Sequence, residues 1–77
     1  MTIIQKVINL VSWIIDIPTN RICPTTNFHE DLLLDKIDFS IMILKLEAFF
    51  NISLSAAEVE KIETVKDASS LINQYLA

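Results

Sequence analysis

Few side chains of this 77-residue chain could do covalent chemistry. Cys23 is the one cysteine and His29 the one histidine. A thiol becomes a nucleophile when a base activates it, so this pair is a conceivable nucleophile and base. Lys36 is a second candidate, but a catalytic lysine needs desolvation or a cationic neighbour. Because Lys36 lies between Asp35 and Asp38 in the sequence, an enzyme with an amine nucleophile is the least favoured alternative, and we expect no enzymatic activity.

The composition excludes several kinds of site. The chain has ten acidic and six basic residues and a net charge of −4, so it lacks the basic stripe that nucleic-acid binding requires. It contains no glycine, which excludes glycine-rich phosphate loops and dinucleotide fingerprints. A single cysteine provides neither a disulfide framework nor a cysteine-based metal site, and no metal is expected.

The length and the hydropathy pattern predict one small domain, residues 1–77. Although 52% of the residues are hydrophobic, the uninterrupted apolar runs are far shorter than the roughly 20 residues of a membrane span. Asn9, Ser12 and Asp16 interrupt the apolar first segment, and no small-residue cleavage site follows it. We therefore expect a cytoplasmic protein with no membrane span.

The elements that position these side chains are predicted to be helices. Apolar residues recur at helical spacing over residues 3–15 after a Thr2 cap, and a proline-containing loop with at most one short turn covers residues 16–35. Asp35 caps a second helix that runs to about Phe50, with Asp38 as a capping-box analogue. Ser55 with Glu58 and Thr64 with Asp67 are capping boxes for a short third helix, which ends near Lys61, and for a last helix. The pattern predicts an all-α four-helix bundle with three main helices, a short third helix and a long first loop.

The second helix carries two apolar faces when it is projected at about 100° per residue. We assign one face to the core: Phe39, Met42, Ile43, Leu46, Phe49 and Phe50. The opposite face contains Ile37, Ile41, Leu44 and Ala48, and two polar strips separate the faces: Asp38 with Lys45, and Ser40 with Glu47. The leucine-rich loop 32–34 covers the second face in one interpretation, and we expect it to reach only the end near Ile37. In the other interpretation the face receives another protein.

Three stretches of the chain resemble the acyl carrier proteins of fatty-acid and polyketide synthesis. FHEDLLLDKID at residues 28–38 is similar to the family pattern F-x-E-D-L-G-x-D-S-L-D. LEAFFNISL at residues 46–54 is similar to L-E-x-x-F-x-I-x-I, and IETV at residues 62–65 to I-x-T-V. The resemblance implies the four-helix carrier fold and, together with the apolar faces, a core that includes Phe28, Phe50, Ile62 and Ile72.

The resemblance also implies a site that this chain departs from. In the family, the serine of D-S-L carries 4′-phosphopantetheine, whose thiol holds the acyl chain. Lys36 stands at that position and has no hydroxyl, so we expect no cofactor there, and Leu33 replaces the usual glycine. Two alternatives stay open: attachment at Ser40, one helical turn later, and an engineered replacement of an original serine.

What the resemblance implies about partners is partial. Asp35, Asp38 and Glu47 match acidic positions that the family presents to basic patches on its enzymes. Ile41 stands where the family often has glutamate, and Lys36 and Lys45 reduce the negative field. We therefore predict an interaction module for synthase or acyltransferase enzymes, or for self-association, in which apolar contact outweighs charge steering. The predicted partner-binding residues are Asp35, Ile37, Asp38, Ile41, Leu44, Glu47 and Ala48.

Overall fold

The computed structural model describes all 77 residues and contains four α-helices and no strand. The helices are α1 (Ile3–Ile15), α2 (Lys36–Phe50), α3 (Ala56–Glu60) and α4 (Val65–Leu76). One turn of 3₁₀ helix, Thr19–Arg21, interrupts the long loop between α1 and α2. The predicted all-α fold, with its short third helix and long first loop, is confirmed.

Side-chain caps fix where the helices begin. The Thr2 hydroxyl accepts the N–H of Gln5 at 3.2 Å, and α1 starts at the next residue. The capping boxes predicted for α3 and α4 are complete, because Glu58 and Asp67 each accept the N–H of their own cap residue as well. The C-cap residues that follow two of the helices have a left-handed backbone: Asp16 after α1 has a φ of 57°, and Asn51 after α2 has a φ of 55°.

The core is one cluster of 14 buried apolar residues to which every α-helix except α3 contributes a buried side chain. Of the residues predicted for it, Phe28, Phe50, Ile62 and Ile72 are all buried, and so is the whole core face of α2 except Phe49. Helix α1 packs chiefly against α4 and also against α2. One face of α2 therefore points into the bundle, which leaves its opposite face to solvent.

The assignment of Phe49 to the core is wrong, because 57% of its side chain is exposed. At about 100° per residue, Phe49 lies roughly 75° from the centre of the buried arc of α2, farther out than Met42 on the same side. It also lies in the last turn, and its ring packs edge-on against Phe50 at 5.0 Å between centroids. Phe49 therefore rests on the margin of the core.

Backbone hydrogen bonds hold the long loop against the start of α4. Asn27 and Thr64 form an isolated antiparallel bridge, and Phe28 donates its N–H to the Glu63 carbonyl oxygen at 2.9 Å. The N–H of Val65 donates to the Thr26 carbonyl oxygen at 3.1 Å. These bonds place Phe28 in the core and bring the end of the loop to α2. None of the helices combines the length and the hydropathy that a bilayer crossing requires.

Candidate functional site

The start of α2 is an exposed, capped helix end. Asp35 has an extended backbone, and its Oδ1 accepts the Asp38 N–H at 2.8 Å, as the sequence predicted. Asp38 does not return a bond to Asp35, so the predicted box is only half formed, unlike those of α3 and α4. Lys36 is the first helical residue and is exposed.

A cleft of about 540 Å³ opens beside Lys36, between the start of α2 and α3. Phe39, Val59 and Ile62 give it apolar walls, and His29 lies at its rim. The His29 ring packs against Phe39 with 4.8 Å between centroids. Its Nδ1 lies 2.9 Å from the Leu34 carbonyl oxygen, which only accepts, so Nδ1 carries the proton of this hydrogen bond.

The structure does not bring Cys23 and His29 together as a nucleophile and base. The Cys23 Sγ lies 3.3 Å from the hydroxyls of Thr25 and Thr26. These hydrogen bonds lower the pKa of the exposed Cys23 thiol, and the bond with the Thr25 hydroxyl has the largest effect. The side-chain hydrogen bonds of Cys23 go to these two threonines and that of His29 goes to Leu34, so no hydrogen bond joins the thiol to the imidazole. No group of three or more histidine, cysteine, aspartate or glutamate side chains is placed to hold a metal ion.

Ser40 lies one turn beyond Lys36 on the surface of α2. Its hydroxyl donates to the Lys36 carbonyl oxygen at 2.8 Å, a bond within the helix that serine commonly makes. Both residues line the cleft beside α3. The hydroxyl nearest the helix start is therefore already used as a donor to the backbone.

The second apolar face of α2 is open to solvent. We call its residues, Ile37, Ile41, Leu44 and Ala48, the α2 stripe. Ile37 is 72% exposed, Leu44 63% and Ile41 44%, and Ala48 is exposed as well. The interpretation in which the preceding loop covers this face is therefore wrong for most of its length. The expected cover at Ile37 is also wrong, because Leu34 instead lines a cleft of about 290 Å³ with Ile41.

The charged residues beside the α2 stripe differ in exposure: two are exposed on one flank, and one is half-buried and hydrogen-bonded on the other. Asp38 and Lys45 line the cleft of Ile41 and Leu34, so they share one flank of the stripe, and both are exposed. Glu47 is half-buried on the other flank, and its Oε2 accepts the backbone N–H of Leu54 at 2.7 Å. Glu47 therefore has a structural role that the sequence did not reveal.

Leu33 has a left-handed backbone conformation that was not predicted from the sequence, although its replacement of the family's glycine was noted. Its φ is 56°, in the left-handed region that leucine rarely occupies, and its side chain is 81% exposed. The signal in the sequence was the family pattern, which has glycine at this position. Leu33 thus places an exposed apolar side chain just before α2, on a backbone that is strained for a residue with a Cβ atom.

Comparisons with known proteins agree with this geometry. A family model described as "Phosphopantetheine attachment site" matches residues 5–72. The chain is 32% identical to an acyl carrier protein of Thermosynechococcus vestitus over 97% of this chain and 93% of that protein. It is 37% identical to one of Lactobacillus acidophilus over 95% and 91%. A solved structure of the acyl carrier protein from Enterococcus faecalis superposes with a TM-score of 0.78 at 34% identity, covering 96% of this chain and 98% of that one.

Proposed function

This chain belongs to the acyl carrier protein family, and we propose that it serves fatty-acid or polyketide-type metabolism in the cytoplasm as a protein-binding module that carries no arm at position 36. Its partners would be synthase or acyltransferase enzymes, and we assign it no catalytic step of its own. The matching family model is described as a phosphopantetheine attachment site, and in the family a transferase joins this arm to a serine hydroxyl.

The chemistry of position 36 supports the first half of the proposal. The family's arm is held by a phosphodiester, which requires a hydroxyl, and Lys36 ends in an amine. Lys36 nevertheless occupies the first turn of α2, directly after the Asp35 cap. The residues at this place therefore do not fit the group, although the surrounding helix start is intact.

Ser40 is the alternative attachment residue, and its setting argues against it. It lies a full turn into α2, and its hydroxyl donates to the Lys36 carbonyl oxygen at 2.8 Å. Attachment there would remove this proton and displace the arm by one turn from the Asp35 cap. A transferase that recognises the start of α2 would find the serine in the wrong place.

The exposure of the α2 stripe is the single observation that carries the protein-binding half. Ile37, Ile41 and Leu44 are large apolar side chains that remain 44–72% exposed on one face of one helix. Contiguous apolar surface of this kind is typical of sites that receive another protein. Since α2 already supplies the core with its other face, fold stability does not explain the stripe.

Intact-mass measurement tests the missing arm. The purified protein is incubated with coenzyme A and a phosphopantetheinyl transferase of broad specificity. We expect no mass gain for the wild type or for Lys36→Ala, and gain of one arm for Lys36→Ser. A mass gain of the wild type contradicts the proposal, and peptide mapping with Ser40→Ala then shows whether Ser40 is the site. Failure of Lys36→Ser to gain the arm contradicts the assignment of position 36.

A further inference from the structure

The α2 stripe has the spacing of a helix-pairing seam. Ile37, Ile41, Leu44 and Ala48 follow one another at intervals of four, three and four residues, as the a and d positions of a heptad repeat do. All of them are exposed. We infer that the partner of the stripe is a second copy of this chain, whose α2 packs antiparallel to the first about a two-fold axis between Ile41 and Leu44. This inference deepens the proposed function, because it rests on the stripe being a protein-binding surface.

The sizes of the stripe side chains are complementary in this arrangement. When Ile41 of each copy lies opposite Leu44 of the other, Ile37 lies opposite Ala48. Ile37, the most exposed large side chain of the stripe, thus meets Ala48, its smallest, at each end of the seam, and two Ile41–Leu44 pairs fill the centre. Facing positions that alternate large and small are how helix seams reach close packing.

The charges beside the stripe select the antiparallel direction. Asp38 and Lys45 lie on the same flank, lining the cleft next to Ile41. A two-fold axis perpendicular to both helices brings this flank against the same flank of the second copy, while the chain direction reverses. Asp38 of each copy then lies opposite Lys45 of the other, and two charge pairs form at once. A parallel pairing would instead place Lys45 opposite Ser40 and form no charge pair.

Neither charge is already used within the chain. Asp38 takes part in capping only through its backbone N–H, which donates to Asp35, and its carboxylate is exposed. Lys45 is exposed as well. The seam is four side chains long, which places the interface at the small end of the range for specific complexes. We therefore expect weak, concentration-dependent dimers rather than a permanent one.

Charge reversal with a mixing step tests the inference. Sedimentation velocity of the wild type over a concentration series should show a monomer–dimer equilibrium. Asp38→Lys and Lys45→Asp should each lose it, because each creates two like-charge contacts; we expect affinity to fall by at least about tenfold. An equimolar mixture of the two variants should restore dimerisation, since every contact between unlike copies is then complementary. Ile41→Glu should abolish the dimer and leave the fold intact.

Two matched variants control for net charge: Glu63→Lys reproduces the charge change of Asp38→Lys, and Lys66→Asp that of Lys45→Asp, on exposed residues outside α2. They should dimerise as the wild type does. Circular dichroism verifies that each variant folds. If Asp38→Lys does not fold, the dimerisation of Ile41→Glu and of Lys45→Asp still tests the inference. The inference is overturned by a wild type that stays monomeric, by reversal variants that dimerise normally, or by a mixture that does not recover. A monomeric wild type that binds a pathway enzyme through the stripe overturns only the second copy as partner, and the mass test above is unaffected.

Discussion

Leu54 donates its backbone N–H to the Glu47 carboxylate across 2.7 Å and so ties the last turn of α2 to the segment that leads into α3. Both residues are half-buried, and a hydrogen bond to a charged acceptor is stronger than one between neutral groups. The family resemblance assigned Glu47 to partners. Its geometry gives it a structural task, whether or not a partner also contacts it.

The first prediction concerns this bond. Glu47→Ala removes the acceptor and should lower the free energy of unfolding by about 1–2 kcal/mol, the cost of a part-buried N–H without its partner. Glu47→Gln keeps an acceptor oxygen and should recover most of the loss. Urea denaturation measures both, with Glu60→Ala as a control at an exposed position. Equal stability of Glu47→Ala and the wild type would show that the bond contributes nothing.

The second prediction compares two adjacent phenylalanines. Phe50 is buried in the core, whereas Phe49 is 57% exposed. Phe50→Ala should cost about 3–5 kcal/mol, because it leaves a cavity among well-packed neighbours. Phe49→Ala removes mostly solvent-facing surface and should cost less than about 1.5 kcal/mol. Thermal or urea unfolding gives both values, and a loss under 1 kcal/mol for Phe50→Ala would contradict the facing of α2.

The third prediction concerns the strained turn before α2. Leu33 has a φ of 56°, which costs an L-residue with a Cβ about 1–2 kcal/mol. Leu33→Gly should therefore raise the free energy of unfolding, by about 0.5–1 kcal/mol after the larger entropy of glycine in the unfolded chain is counted. Asn51, with a φ of 55°, is the matched control: asparagine tolerates this region, so Asn51→Gly should gain less. Destabilisation by Leu33→Gly would mean that its exposed side chain contributes packing.

The fourth prediction is a pH dependence at the contact between α3 and α4. The Tyr75 hydroxyl donates to the Glu58 carboxylate. This bond is the largest cause of two pKa shifts. It lowers the pKa of the Glu58 carboxyl below its ordinary 4.5 and raises the pKa of the Tyr75 hydroxyl above its ordinary 10.0. A lowered carboxyl pKa stabilises the fold above pH 4.5, and that contribution is lost as the pH falls through the folded-state value. A raised phenol pKa stabilises the fold below pH 10.0, and that contribution is lost as the pH rises through the folded-state pKa of Tyr75.

Tyr75→Phe isolates this contribution. The difference in melting temperature between the wild type and Tyr75→Phe should be constant between these two limits and should shrink beyond each of them. Differential scanning calorimetry across the pH range measures it. A difference that does not change with pH would show that the hydroxyl is not coupled to Glu58.

The sequence was sufficient for the helices because their starting signals are local. Thr2, Asp35, Ser55 and Thr64 each accept an N–H three residues later, and short-range patterns of this kind predict helix starts well. Phe49 was misassigned because it lies at the edge of the apolar arc and in the last turn of α2, where a helical projection alone does not separate buried from exposed positions.

The rest of the site depended on tertiary placement. The bond from Leu54 to Glu47 spans a turn whose path no periodicity encodes. Leu34 lines a cleft with Ile41 and not with Ile37, and the residue before it, Leu33, has a left-handed backbone that no apolar periodicity encodes. The exposure of the α2 stripe was predicted from its opposition to the core face, which is a property of the helix alone.

The bridge between Asn27 and Thr64 makes the long loop and the beginning of α4 a single cooperative unit. The amides of Phe28, Val65 and Lys66 all donate across this junction, so none of their hydrogens can exchange with solvent until the two segments separate. Separation would also lift Phe28 out of the core. Slow hydrogen exchange should therefore extend from the first residues of α4 to Phe28, which lies in no helix, and these amides should exchange only with global unfolding.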